Sequence, residues 1–493
     1  MSATDLVILG GGITGLGIAR LASRNGWTVT LVERDDLAGG ASSASSHMLH
    51  GGLRYLEHGH LRLVREALGE RAAIARMAPA LTTPVRFLVP LLHGARLPAW
   101  KLRAGLALYD LLAGRERLAA DHMSPHKMAR AAEAHALEPA LERDGLLGAG
   151  LYSDGVMDDA RLAIAVARDA AAHGARILTR TQLVSARPGA GGTPAHDVVL
   201  RDSETRAETH LRARLFVNAT GAWSDATRLE MLRLLRPGAT DPKPQLGPSR
   251  GVHLVYPALT RSHGLLLTAA ADGRVFFVVP FAGRSLVGTT EVETLSPPER
   301  AQYAASVDEI RYLAREVTRV LPGAAGLRPL AVMSGVRPLL RADRSAGDAS
   351  REHRVTDDGA LLTIAGGKWT TFRIMARDVL AVAARKLGRD PRALADCELP
   401  LPAPLHAGAD SATLGAHAAE HEFARHLDDV LRRRSRLWLS DDHGSGAAPA
   451  VAAALAQRLG WTPQQERDEL QAWQSHVNDQ QALLARALGD PRA

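Results

Sequence analysis

The first strong pattern in the chain is an apolar run at residues 6–9, of the kind a strand buried on both faces requires. Helical periodicity follows over residues 13–24 and stops at Gly26, and residues 28–32 form a second apolar strand with Glu33 at its tip. Two later apolar strands also run into glycine: residues 215–224, "LFVNATGAWS", and residues 361–373, "LLTIAGGKWTTFR", whose Thr-rich end starts a helix. Between them, residues 245–257, 264–268, 275–280 and 285–290 read as short strands broken by Gly, Pro and Asp-Gly turns, which suits a mostly antiparallel sheet. Residues 152–172 read as a turn followed by a long helix capped by Asp158 or Asp159. The Ala/Gly-rich stretch 188–194 reads as a loose hairpin loop, and "PLPAP", 400–404, as a linker to a helical end of the chain.

Between the first helix and the first strand lies G-x-G-x-x-G, made by Gly10, Gly12 and Gly15. Gly10 suits the tight turn, Gly12 lets a pyrophosphate approach the backbone, and Gly15 lets helix and strand pack closely. The helix N-terminus offers N–H groups to phosphates, and Glu33 can accept from ribose hydroxyls. Strand, glycines, helix, strand and acid in this order define a dinucleotide site, but the motif itself serves FAD and NAD alike. What favours FAD is the dispersal of the nucleotide domain over the first, middle and late thirds of the chain. The Gly366-Gly367 pair adds a second helix start, available to an anion or a flavin oxygen.

The fold class expected is therefore α/β plus α+β. A Rossmann-like two-dinucleotide-binding FAD domain, discontinuous in sequence, takes residues 1–75, 150–230 and 340–390. An antiparallel-sheet substrate domain takes 76–149 and 231–339, and a small helical C-terminal cap takes 395–493. A length of 493 residues suits two or three such domains.

Composition adds little to this picture. Hydrophobic residues make up 46% and charged residues 23%, and the formal charge of +7 is compatible with anionic substrates or an anionic membrane surface. A single cysteine, Cys397, excludes an internal disulfide and argues against a Cys-based metal centre, so no metal is expected. No apolar run approaches the length needed to span a bilayer, and the start of the chain does not read as a signal peptide. An intracellular protein is expected, and no feature points to nucleic acid.

"GGGITGLGIA", "SSASSHMLHGGLRYLEHGHLRLVREALGER", "DDARL", "NATGAW", "GTTEVE", "SGVRPL" and "GGKWTTFR" occur in that order between residues 10 and 373. Together they resemble the FAD-dependent, quinone-linked glycerol-3-phosphate dehydrogenases. The resemblance implies oxidation of sn-glycerol 3-phosphate to dihydroxyacetone phosphate, with hydride transfer from C2 to the FAD N5 and electrons passed to quinone. Arg54 and Arg337 match the family's phosphate-facing arginines, and Tyr55 offers a neutral donor. His253 matches the family's active-site histidine and is the first choice of general base, with His50 in reserve. Lys368 is expected to stabilise alkoxide or reduced-flavin charge.

By the same resemblance the cofactor meets Gly10, Gly12, Ile13, Thr14, Gly15 and Glu33 at its nucleotide end. It meets Ser42, Ser43, Ser46, His50, Gly51, Gly52 and Leu183 along its length. Thr220, Gly221, Gly366, Gly367, Lys368 and Thr370 complete the set. Two departures stand out: His47 occupies a position where the family commonly has lysine, and the C-terminal region looks shortened.

Taken alone, several of these residues have plainer readings. Arg54 reads as a surface ion pair, His58 and His60 as exposed, and Arg432–Arg433–Arg434 as a solvated helix face. Asp343, Arg344, Asp357 and Asp358 read as hairpin-loop charges. In residues 95–117, Trp100, Ala104, Leu108 and Leu111 form one helical stripe, flanked by Arg96, Lys101, Arg103, Arg115 and Arg117. That stripe is expected either to pack on the core or to meet an anionic membrane, and quinone as acceptor favours peripheral attachment at the inner face of the cytoplasmic membrane. A homodimer remains open. The alternatives carried forward are an oxygen-using glycerol-3-phosphate oxidase, a related FAD-dependent hydroxy- or amino-acid oxidoreductase, and a non-catalytic flavin-binding protein.

Overall fold

A computed structural model describes residues 3–489 apart from 94–96, 115–121, 190–194, 239, 295–302, 342–352, 396–397 and 407. Two sheets organise it. The first has eight strands, and its parallel centre runs Leu361–Gly366, Glu208–Asn218, Thr4–Leu9, Val29–Val32, Arg176–Leu178. His353–Asp357 closes one edge antiparallel, and the strands Thr181–Pro188 and His196–Asp202 continue from Glu208–Asn218. Leu6, Val7 and Ile8 are fully buried, as strands covered on both faces demand.

Helix Ile13–Arg24 packs against Asp159–Ala172 and Phe372–Lys386 on one side of this sheet. The turn into it depends on glycine: Gly10 sits at φ +107°, and a Cβ on Gly15 would overlap the Gly10 carbonyl oxygen. As expected, the Asp158 side chain caps the Asp159 helix, accepting from Arg161 N.

The second sheet has ten mostly antiparallel strands and includes Ser249–Pro257, Val275–Phe281, Arg284–Gly288 and Ala331–Arg337. Its longest pairing joins Thr82–Leu92 to Leu146–Met157. This shifts one expected boundary, because residues 150–157 pair in the second sheet rather than belonging to the nucleotide unit. Ser153-Asp154-Gly155 carries the signal of a turn, yet lies inside that strand. Arg71 reaches Asp154 at 2.9 Å and Tyr109 donates to it at 2.9 Å, so the buried carboxylate is satisfied without a bend.

Helices Ser411–His421, Ala448–Leu459 and Pro463–Leu488 build the C-terminal region around Ala418, Leu427, Val451, Leu455 and Trp473. The last helix reaches on to Leu484 and Ala487, which pack into the core of the second sheet. Arg432 is exposed, as expected, but Arg433 and Arg434 depart from the expected solvated face. Arg433 is 7% and Arg434 1% exposed, and both are bound to Asp36 on the nucleotide unit. Asp357 and Asp358 do lie at the hairpin joining His353–Asp357 to Leu361–Gly366, where Lys386 pairs with Asp357 at 2.7 Å and Arg228 grips Asp358 at 2.7 and 2.9 Å. Asp343, Arg344 and Cys397, and most of the 188–194 loop, lie outside the described residues.

Candidate active site

A cavity of about 780 Å³ runs from the tip of Val29–Val32, past the glycine loop, to the seam between the two sheets. At its nucleotide end lie Gly10, Gly12, Ile13, Thr14 and Glu33. The Glu33 carboxylate is fixed from two sides, accepting from Gly11 N at 2.6 Å and Asp35 N at 2.8 Å. Burial pushes its pKa up, against the pull of those two N–H groups. Ser42 Oγ accepts from Ile13 N at 3.0 Å, tying the following segment to the helix start.

Ser46, His50, Leu183, Thr220, Gly221, Gly366, Gly367, Lys368 and Thr370 line the remainder, with the substrate candidates His253, Arg337 and Tyr55. A glycine loop at one helix start, a partly buried acid at the ribose position and a second helix start at the far end suit a long dinucleotide with a reactive ring. A cavity of this size is also in the range of ligand sites. The residues present therefore fit FAD.

His253 lies on Ser249–Pro257 between partners Gly288 and Met333, and is 4% exposed. Its Nε2 shares a 2.8 Å hydrogen bond with Ser46 Oγ, while Nδ1 is buried with no hydrogen-bond partner among the described residues. Burial, then the charges of Arg337 and His47, lower the ring's pKa to about 3. The imidazole is consequently neutral at physiological pH. Arg337 donates to Thr289 Oγ1 at 2.7 Å and to the Thr290 carbonyl at 2.9 Å. Thr290 is anchored in turn, its hydroxyl donating to Glu309 at 2.8 Å, and Gly251 leaves the space the guanidinium fills, since a Cβ there would overlap it. Lys368 Nζ stands 3.9 Å from the centre of the Tyr55 ring.

Several expected residues take other places. Arg54 is exposed and does not line the cavity, although its neighbour Tyr55 does. Both sit on the 3₁₀ turn Leu53–His58, where three residues per turn send successive side chains about 120° apart, so Tyr55 facing inward sends Arg54 outward. Gly15 serves helix–strand packing, Ser43 donates to the Ala38 carbonyl at 2.8 Å, and Gly51 N donates to Tyr109 Oη at 2.8 Å. Gly52 supplies the left-handed turn at φ +77°, and none of these four lines the cavity. His47 also stands behind the site. It is 4% exposed, stacks on Phe281 with ring centres 4.1 Å apart, and holds the Met157 carbonyl at 3.1 Å through Nδ1. His60 is exposed, as expected.

On helix Ala99–Ala113 the core takes Leu102, Leu106, Tyr109 and Ala113. The Trp100 stripe faces out instead, with Trp100 68% and Leu111 76% exposed. Arg96, Arg115 and Arg117 lie outside the described residues. Among the described helices none is long and apolar enough to cross a membrane.

The sequence reading missed the supports of the site. Thr289 and Thr290 sit in the "GTTEVE" motif already singled out, so their position was signalled but not their grip on Arg337. Trp369 Nε1, which donates to the Ser42 carbonyl at 3.1 Å and joins the two cofactor segments, lies inside another noted motif. The Tyr109–Asp154–Arg71 cluster behind Gly51 had no local signal.

Residues 5–373 match the family described as FAD dependent oxidoreductase, and residues 411–466 match the C-terminal domain of alpha-glycerophosphate oxidase. Glycerol-3-phosphate dehydrogenase 2 of Mycobacterium tuberculosis is 34% identical over 518 residues, covering 93% of this chain and 85% of that protein. The mitochondrial glycerol-3-phosphate dehydrogenase of Rattus norvegicus is 36% identical over 406 residues, covering 78% of this chain and 53% of its own length. This chain thus spans about half the length of the mitochondrial relatives it matches. The structure of the Bacillus halodurans glycerol-3-phosphate dehydrogenase complexed with FAD superposes with a TM-score of 0.71, covering 97% of this chain and 95% of that one. At 23% identity that likeness speaks for the fold.

Proposed function

The chain belongs to the FAD-dependent oxidoreductases, in the group that contains the glycerol-3-phosphate dehydrogenases, and from that premise we propose that it oxidises sn-glycerol 3-phosphate to dihydroxyacetone phosphate. The observation that carries this reading is the convergence of a buried neutral imidazole and two cations, His253, Arg337 and Lys368, on one end of the dinucleotide cavity. FAD, when bound, supplies the acceptor for the hydride that leaves C2. The glycine loop and its helix N-terminus would hold the pyrophosphate, Glu33 a ribose, and Gly366, Gly367, Lys368 and Thr370 the flavin end.

Arg337 offers the permanent charge and fork that a phosphate monoester needs, already oriented by Thr289 and Thr290. With Arg54 turned outward, the phosphate falls to Arg337, aided by Lys368 and the Tyr55 hydroxyl. His253 accepts the proton of the C2 hydroxyl, and Ser46 holds the ring in place. A phosphate on Arg337 cancels one of the charges that depress the ring's pKa, which moves the base toward the working pH. Lys368 offsets the negative charge that develops on the oxygen.

For the next acceptor we favour a quinone at an anionic membrane surface. The outward stripe of helix Ala99–Ala113 supports this, with Trp100 and Leu111 bare and Lys101 and Arg103 exposed on the same helix. The rival is molecular oxygen, which the oxidase name attached to the C-terminal match keeps in view. The test is anaerobic: glycerol 3-phosphate should bleach the oxidised flavin band of the purified holoprotein. Reoxidation by a short-chain quinone and not by air makes it a dehydrogenase, fast reoxidation by air makes it an oxidase, and no bleaching refutes the reading.

A further inference from the structure

The segment that follows Glu33 is the outer wall of the dinucleotide site, and it is held from two sides. On the inside, Ala38 N donates to the Gly11 carbonyl at 2.9 Å, and Ser42 Oγ accepts from Ile13 N at 3.0 Å. Arg34, Asp35 and Asp36, together with residues 39–42, line the same cavity as the glycine loop. On the outside stands the C-terminal region. Arg434 grips Asp36 through both terminal nitrogens, Nη2 reaching Oδ1 at 2.7 Å, and Arg433 Nε binds the other carboxylate oxygen.

These guanidiniums are themselves fixed. Arg433 Nη2 donates to Asp428 at 2.7 Å and to Asp429 at 2.8 Å, and Arg434 Nη2 donates to the Glu422 carbonyl at 2.8 Å. Arg180 completes the cluster: its backbone N donates to the Asp35 carbonyl at 3.1 Å and its Nη2 to Asp429 at 2.8 Å. Burial acts to raise the Asp36 pKa, but Arg434 and Arg433 outweigh it and hold the carboxyl below its ordinary range. An unpaired carboxylate at this spot would face the same cavity that must accept a pyrophosphate. The two arginines remove that repulsion while fixing the wall.

We propose that Arg433 and Arg434 are positioning residues for the dinucleotide, clamping the 33–42 wall through Asp36 so that the C-terminal region sets how tightly FAD is retained. This rests on the FAD reading of the cavity. Pure wild-type protein without flavin would overturn that reading on its own, before any variant is compared.

The experiment follows FAD release from diluted holoenzyme by the rise of free-flavin fluorescence, with urea unfolding midpoints measured in parallel. Arg434→Gln and Asp36→Asn should speed release by about tenfold or more, the loss expected for a buried charge-assisted hydrogen bond. Arg434→Lys, which keeps the charge and loses the fork, should fall between them and wild type. Arg425→Gln is the control. Its side chain ties the C-terminal region to Asp202 at 2.6 Å and Glu204 at 2.7 Å without touching Asp36, and its loss should change release less than about twofold. Equal acceleration in Arg425→Gln would mean general undocking and overturn the proposal. So would wild-type release rates in Asp36→Asn and Arg434→Lys, which remain decisive if Arg434→Gln fails to fold.

Discussion

Replacing His253 by glutamine separates what the ring costs the fold from what it does in the chemistry. The ring is buried with a pKa lowered to about 3, whereas an unfolded chain protonates histidine near 6.5. Between those values the unfolded state binds a proton that the folded state refuses, so wild-type stability falls as pH drops below about 6.5. Each pH unit in that window costs about 1.4 kcal/mol, which amounts to about 2 kcal/mol at pH 5. Above pH 6.5 this cost is absent. Glutamine has no such proton and can still share a hydrogen bond with Ser46. Urea unfolding of both proteins at pH 7.5, 6 and 5 should therefore show the variant gaining about 2 kcal/mol on wild type across the series. At the same time, flavin reduction by glycerol 3-phosphate should slow by about 10²–10⁴-fold with flavin content unchanged. A stability difference that does not move with pH would refute the buried neutral ring. An unchanged reduction rate would refute its role as base.

Ser46→Ala removes the hydroxyl that holds Nε2 and should slow reduction by about tenfold, the low-pH limb of the rate profile shifting while flavin affinity stays the same. Tyr109→Phe takes away the acceptor of Gly51 N and a donor to Asp154. It should cost about 1–3 kcal/mol in urea and lower the reduction rate through the His50 turn, whereas unchanged unfolding and kinetics would show the cluster idle. Trp100→Ser combined with Leu111→Ser should abolish co-sedimentation with anionic vesicles and leave anaerobic reduction intact, and persisting vesicle binding would move the docking face elsewhere.

The parts of this molecule that could be read from sequence are those whose causes are local. The glycine loop, its helix and Glu33 follow one another within a few dozen residues, each required by the next. His253, Arg337, Tyr55 and Lys368 come from four distant segments, and it was the ordered set of motifs, not periodicity, that brought them together. Arg54 is exposed while Tyr55 lines the cavity, because one short 3₁₀ turn decides which of two adjacent side chains faces inward. The helix at Ala99–Ala113 has apolar residues on two faces, and a period of 3.6 says that a stripe exists without saying which one is covered. Arg433 and Arg434 looked solvated because their partner, Asp36, lies nearly 400 positions away. The Ser-Asp-Gly triplet at 153–155 looked like a turn because Arg71 and Tyr109, which satisfy the aspartate, are equally remote in sequence.

Arg337 is what makes this a site for a phosphorylated alcohol in the mechanism proposed above. Anaerobic stopped-flow reduction of wild type and Arg337→Met by glycerol 3-phosphate and by glycerol tests it directly. Wild type should prefer the phosphorylated substrate by at least about 10²-fold, and the variant should lose most of that preference while its rate with glycerol stays within about threefold. Equal preference in both proteins, or equal rates with both substrates in wild type, would contradict it.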